Sequence, residues 1–491
     1  MIASEVSPWA KTGGLADVVG ALPEALERLG HSVTVVMPRY RGVTAPAGET
    51  RPYRVQLGPT LRDVTLQIAS LSEGRRLVTI DAPSLFDREG LYGAGGVDYP
   101  DSAERFGVLC TAALEFAVAE STSRPFDIIH AHDWQGGLAA TLHRTQPDRY
   151  ASLAAAGLVF TIHNIAYQGL CPRDAVPALG LPWSVFRMDS AEFYGQLSLL
   201  KAGIAYSDFI TTVSPRYARE TLRPEFGSGM EGALGTRVGR YVGILNGIDT
   251  TVWNPREDRY LPATYDAADL AGKSRCKRAL LDHFKLSVGD DAQSRPVIGM
   301  VSRLVEQKGL DIVREAASAL MKLDASWVFV GMGDVRYEQF LRGLAARHPS
   351  RVGVHIGFSE QLAHLVEAGA DMFLMPSKFE PCGLNQMYSL RYGTVPVVTP
   401  VGGLEDTVQP YTVRARRANG FKLKTYSAGA LVRTLRQAVR LFGDRDVWRT
   451  LMRQGMAADH SWQTSAKEYV KVYRRAREAA TSRGRGERAV S

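Results

Sequence analysis

The chain has 491 residues, 45% hydrophobic and 22% charged, a globular composition with length for two to three domains that each bury a core. No uninterrupted apolar run is long enough to span a bilayer, and Glu5 and Lys11 interrupt the N-terminus too early for a signal peptide. The net charge is +8, but seven Lys/Arg against two Glu lie from Lys471 onward, so the body is nearly balanced, which argues against a nucleic-acid-binding protein. Cys110, Cys171, Cys276 and Cys382 are scattered without a CxxC, the pattern of a reducing cytosol rather than of a disulfide framework or a zinc site.

Residues 1–4 read as a strand stump, with only Ile2 and Ala3 ahead of the first loop. Either the true start lies upstream or the sheet tolerates a very short strand. Lys11-Thr12-Gly13-Gly14 follows, and Leu15, Val18, Val19, Leu22, Leu26 and Leu29 recur at helical spacing. Two glycines at a helix start let a ligand approach the backbone, and Lys11 stands ready for an anion. Gly30-His31 ends this helix, and residues 33–37 form the next strand.

Residues 127–132 read as a buried strand that runs into Asp133, which is either a helix N-cap or a ligand-binding carboxylate. His130 and His132 lack acidic or cysteine partners at metal-ligand spacing, so their expected roles are structural. Residues 158–162 form another buried strand, ending in the polar pair His163-Asn164, a placement that favours a site over a core. Residues 209–214 close the first domain. Asn246-Gly247 is a turn signal at the passage to the second domain.

The second domain opens with a strand at residues 296–302. Arg303 and Lys308 flank the loop that follows; they are either solvated charges or a converging pair for a diphosphate, and their position favours the pair. Strands follow at 327–331 and 352–356, with Phe358 just beyond, able to stack on a base or to pack in the core. The apolar run 372–375 is a buried parallel strand stopped by Pro376. Pro381 and Gly383 then force a turn before a helix over residues 384–392, closed by Gly393. Glu380 therefore lies in a loop at the carboxyl end of a strand, where open α/β sheets bind ligands. The helix start suits phosphates and the carboxylate suits hydroxyls, the two ends of a nucleotide sugar.

Gly402-Gly403-Leu404-Glu405-Asp406-Thr407-Val408 repeats the pattern of Gly13-Gly14-Leu15-Ala16-Asp17-Val18-Val19. Two copies, each after a strand and before a helix, suggest two similar domains presenting glycine turns to a shared cleft. Asp444-Arg445-Asp446 lies in a turn before a helix and reads as a cap rather than a metal motif. A last helix over 464–480 has Tyr469, Val472 and Tyr473 to bury and should strap back onto the first domain, while residues 481–491 read as a disordered basic tail. A dinucleotide oxidoreductase is disfavoured, because Gly331-Met332-Gly333 meets Arg336 where its third glycine belongs.

Taken together, Lys11-Thr-Gly-Gly-Leu-Ala-Asp, His130-Ala-His-Asp-Trp, His163-Asn, Asn246-Gly-Ile-Asp, Ser302-Arg-Leu, Gln307-Lys-Gly and Phe379-Glu-Pro-Cys-Gly-Leu resemble the bacterial glycogen synthases and plant starch synthases over nearly the whole chain. The resemblance implies an α/β fold of glycosyltransferase-B architecture, two Rossmann-like doubly wound domains facing across a cleft. The expected domains are 1–245 on the acceptor side, 246–460 binding the nucleotide sugar, and a returning helix at 461–480. The implied reaction moves glucose from ADP-glucose to the non-reducing end of an α-1,4-glucan such as glycogen, with retention and front-face chemistry. It implies a cytoplasmic enzyme with no cofactor, metal, nucleic-acid or membrane partner.

By that resemblance Glu380, His163, Lys308 and Arg303 form the catalytic set. Glu380 holds sugar hydroxyls, and Arg303 and Lys308 hold the diphosphate. Lys11 and Gly14 contact the donor diphosphate and glucose, Asp133 and His163 line the glucose pocket, and Asn246 lies beside it. Phe358 takes the base-stacking position, Cys382 and Gly383 start the helix beside the donor, and Gly402, Gly403 and Leu404 complete the donor site. Val401 stands where the family often has Thr, which removes one hydroxyl from the phosphate side and leaves the backbone donors.

Overall fold

A computed structural model describes residues 1–286, 294–415 and 417–488. The chain divides into two compact units, Met1–Gly247 together with the segment from Trp462 onward, and Ile248–Ser461.

The first unit is built on one continuous sheet. Parallel strands Arg75–Asp81 and Val33–Pro38 lie on one side, with Thr60–Ser70 and Glu49–Leu57 added antiparallel at that edge. Ile128–His132, Gly157–Ile162, Phe209–Thr212 and Tyr241–Gly243 lie on the other side, all parallel. Ile2 bridges Val36 and Ala131 and so joins the two halves. Its N–H donates to His130 O at 2.8 Å and its carbonyl accepts from His132 N at 3.0 Å, while Ala3 N reaches Val36 O at 3.1 Å. Both neighbouring strands thus take backbone groups of this segment. The strand order reverses at Ile2, so the loop that follows, from Ser4 to Gly14, leaves from the switch point.

The helix Trp462–Arg488 belongs to the first unit, packing on Gly157–Ile162 and on the helix Gly14–Glu27. Ala466, Tyr469, Val472 and Ala476 are buried on one face. A Cβ on Gly157 would sit 2.6 Å from the Ala476 backbone, so glycine there sets how closely the helix can lie. The expected disordered tail is corrected in part, because the helix continues through Thr481 to Arg488. Its Arg483 ion-pairs with the buried Asp208 at 2.6 Å, which anchors the stretch that composition alone marked as solvated. Residues 489–491 lie outside the described residues.

The second unit carries a fully parallel six-stranded sheet. Its order is Val352–Ile356, Ser326–Gly331, Val297–Val301, Met372–Met375, Val395–Val398, Phe421–Lys422. In chain order this is 3-2-1-4-5-6, the doubly wound arrangement, with its switch point between Val297–Val301 and Met372–Met375. Helices cover the sheet. Leu310, Ile312, Val313, Ala316 and Leu320 bury one face of Leu310–Leu320 in one cluster with Trp327 and Phe329, each Leu, Ile and Val side chain contributing roughly 1.5–3 kcal/mol of transfer free energy. A second cluster on Leu281, Val328, Val366, Phe373 and Leu404 fills another part of the interior. The rigid frame therefore delivers two loops, after Val301 and after Met375, to one point of the sheet edge.

Candidate functional site

In the second unit those two loops hold the densest set of expected residues. Lys308 Nζ lies 2.5 Å from Glu380 Oε2, and Ser377 Oγ donates to the same oxygen at 3.0 Å. Gln307 stitches the loops, its carbonyl accepting from Lys378 N at 2.9 Å and its amide donating to Phe379 O at 3.3 Å. Arg303 is exposed, with its guanidinium 3.3 Å from Gln307 Oε1. Asn385 at the following helix reaches back to Val301 O at 2.7 Å.

Glycines make this convergence possible. Gly309 has φ +79°, and a Cβ there would meet Pro376 O at 2.1 Å. Gly402 has φ +43°, and a Cβ would stand 1.8 Å from Glu380 O; at Gly403 it would meet Cys382 O at 2.1 Å. The second glycine turn is thus pressed against the Glu380–Gly383 loop. Its amides are used inside the protein, Gly403 N donating to Pro381 O at 3.1 Å and Leu404 N to Val401 O at 3.0 Å. In this arrangement the turn buttresses the Glu380 loop. Cys382 is buried, and Gly383 has φ +71° just before the helix Asn385–Arg391.

Phe358 follows the edge strand Val352–Ile356 and is 86% exposed. Packing is thereby ruled out as its role. Asp444 Oδ1 accepts from Val447 N at 3.2 Å, so that acidic turn is a helix cap.

In the first unit the expected residues also sit at carboxyl ends of strands. Asp133 has φ +51°, rare for a residue other than glycine, and its carboxylate does not cap its own helix. Asp133 Oδ1 instead accepts from His163 N at 2.7 Å, tying two strand ends together. Burial pushes the Asp133 carboxyl up to about 7, against the opposing pull of the His163 and Asn164 N–H groups. Burial brings His163 down to about 3, so its ring is neutral. His132 Nδ1 lies 3.0 Å from His163 Nε2. Asn246 is 5% exposed, and its Oδ1 has no partner among the described residues.

The glycine loop of this unit differs from its sequence twin. A Cβ on Gly13 or Gly14 would meet nothing within 4 Å. What these glycines preserve is open space. The loop is held by Glu5, whose buried carboxylate accepts from Thr12 N at 2.5 Å, Thr12 Oγ1 at 2.6 Å, Gly13 N at 3.2 Å and the Tyr92 hydroxyl. Lys11 pairs with Asp17 at 2.6 Å while remaining exposed. Glu5 and Tyr92 in this unit, and Ser377 and Asn385 in the second, brace the loops that carry the expected residues and were not among those residues. Glu5 carried a signal, a carboxylate directly after the central strand, but its partner Tyr92 lies far along the chain.

Comparison with known proteins gives a uniform result. The family model described as starch synthase catalytic domain matches residues 1–236, and that described as glycosyl transferases group 1 matches residues 287–450. A glycogen synthase of Anaeromyxobacter dehalogenans is 50% identical over 475 residues, covering 96% of this chain and 98% of that protein. A glycogen synthase of Koribacter versatilis is 44% identical, covering 97% of each. The catalytic domain of starch synthase IV from Arabidopsis thaliana, bound to ADP and acarbose, is 32% identical with a TM-score of 0.86, covering 97% of this chain and 98% of that one.

Proposed function

The chain belongs to the family of the bacterial glycogen synthases and starch synthases, and from that premise we propose that it elongates an α-1,4-glucan with glucose taken from ADP-glucose. The fold is the two-domain α/β glycosyltransferase-B type. The ADP carried by the starch synthase IV relative supports an adenine nucleotide as the donor's leaving half. No helix among the described residues is long and apolar enough to cross a membrane, and the proposed setting is the cytoplasm.

The observation that carries the reading is the Lys308–Glu380 pair at the switch point of the second unit. A cation and a carboxylate side by side suit a ligand with a diphosphate joined to a polyhydroxylated sugar. In the proposed reaction the bond from the glucose anomeric carbon to the diphosphate oxygen breaks, with its electron pair leaving on ADP. The acceptor 4-hydroxyl forms the new bond on the same face, and its proton passes to the departing phosphate. Arg303 and Lys308 stabilise the growing phosphate charge without a metal ion. Glu380 receives sugar hydroxyls and, with the His163 backbone carbonyl, offsets positive charge at the sugar.

Phe358 is assigned to the nucleobase, on which an exposed ring can stack. Lys11, the space beside Gly14, Asp133 and Asn246 are assigned to the donor's diphosphate and glucose. Cys382, Gly383, Gly402, Gly403 and Leu404 are assigned to holding the Glu380 loop in register.

The test is nucleotide release with glycogen as primer, comparing ADP-glucose with UDP-glucose. ADP-glucose should give the higher kcat/KM. A large preference for UDP-glucose overturns the donor, and no primer-dependent release with either overturns the transferase. Glu380→Ala should lower kcat on the order of 100-fold or more, since it leaves Lys308 without its partner and the sugar without its acceptor.

A further inference from the structure

The histidines at the end of strand Ile128–His132 have a defined hydrogen-bond polarity. His132 is fully buried, with Nδ1 facing His163 Nε2 at 3.0 Å. Its own Nε2 is buried and has no partner among the described residues. A neutral imidazole carries one proton. Placed on His132 Nε2, that proton would make a buried N–H with no acceptor, which loses its hydrogen bond to water and gains none in the protein. Placed on Nδ1, it is donated to His163 Nε2, and the unmatched atom is only a lone pair, the less costly orphan. His163 then accepts at Nε2, so its single proton resides on Nδ1.

We propose, given the transferase reading above, that His132 is a positioning residue that holds His163 as its Nδ1–H tautomer, so that the His163 ring meets the donor sugar as a hydrogen-bond donor and not as a base.

The surroundings fix both rings. His130 lies against His132 with centroids 4.1 Å apart and planes 35° from parallel. His130 is itself clamped, Nδ1 at 2.8 Å from the Tyr473 hydroxyl of the last helix and Nε2 at 2.6 Å from Thr161 Oγ1. Asp133 grips the His163 backbone from the other side at 2.7 Å. Burial keeps His130 and His132 neutral as it does His163, so the direction of the chain of hydrogen bonds does not change near neutral pH.

The first measurement is long-range proton–nitrogen correlation NMR on the full-length protein labelled with 15N-histidine, with His163→Gln used to assign the His163 ring. The expected pattern is an Nδ1–H tautomer, unchanged across neutral pH. An Nε2–H pattern, or titration of that ring in the neutral range, overturns the proposal. The second measurement uses His132→Asn, whose carboxamide can place an N–H where Nδ1–H stood, and His132→Leu, which cannot. With thermal stability measured for each, Asn should keep kcat within a few-fold of the unaltered protein. Leu should lower kcat on the order of 10- to 100-fold, with the donor KM moving less. Full kcat in a folded His132→Leu overturns the proposal; if that variant does not fold, the spectrum of the unaltered protein decides. The spectrum requires no substrate, so absence of glucosyl transfer would count against the proposed function and leave the tautomer to be judged separately.

Discussion

Asp133 and Phe358 show how far burial decides what a single side chain can do. The Asp133 carboxyl is raised from 3.8 to about 7, first by burial, so its folded value lies above its unfolded one. Its contribution to stability is therefore complete below about pH 4 and is lost as pH rises through 7. Asp133→Asn cannot ionise, so its melting temperature should gain on the unaltered protein as pH rises from about 4 to 8. A gap that stays constant over that range would show that Asp133 titrates normally. Phe358 is the converse case, 86% exposed. Phe358→Ala should change stability by less than about 0.5 kcal/mol while weakening donor binding by about 1–3 kcal/mol, read as a 5- to 150-fold rise in KM for ADP-glucose. The two alternatives that residue types had left open, a cap at position 133 and core packing at 358, fall on geometry that no local pattern contains. Asp133 reaches a strand end 30 positions away. Glu5 stayed hidden for the same reason, since the Tyr92 hydroxyl that shares its carboxylate lies 87 positions off.

Elements tell a different story, because strands and helices are coded locally and were legible. The apolar run before Pro376 and the periodic positions after Gly14 became strand Met372–Met375 and helix Gly14–Glu27. What periodicity could not give is how the connecting turns meet. The two Gly-Gly-Leu turns look alike in sequence and differ physically. Gly402→Ala places a methyl group against Glu380 O at a positive φ, so it should cost about 1–3 kcal/mol in stability and displace the Glu380 loop, lowering kcat. Gly14→Ala meets nothing beyond its chain neighbours and its own helix backbone within 4 Å, so it should fold as well as the unaltered chain while raising the donor KM. Calorimetry and steady-state kinetics on the pair separate the two outcomes, and equal effects on stability would refute the distinction.

At the scale of the whole molecule, the chain leaves the first unit after Gly247 and rejoins it at Trp462. The two passes touch, since a Cβ on Gly247 would lie 2.5 Å from Trp462 N, and Ser465 Oγ donates to Leu245 O at 2.6 Å. A hydrophobic face at Tyr469, Val472 and Tyr473 announced that the last helix needs a partner; the partner, strand Gly157–Ile162, could be found only from the fold. Gly157→Val should push that helix outward, lowering the melting temperature and opening residues after Trp462 to limited proteolysis. The late return also has a consequence during biosynthesis. A ribosome must add the 214 residues of Ile248–Ser461 before it makes the helix that seals strand Gly157–Ile162, a wait of roughly 10–40 s at typical elongation rates. Through that interval the nascent first unit displays an uncovered apolar strip, a standing invitation to chaperones, and its completion is tied to the last stretch of the message to be read.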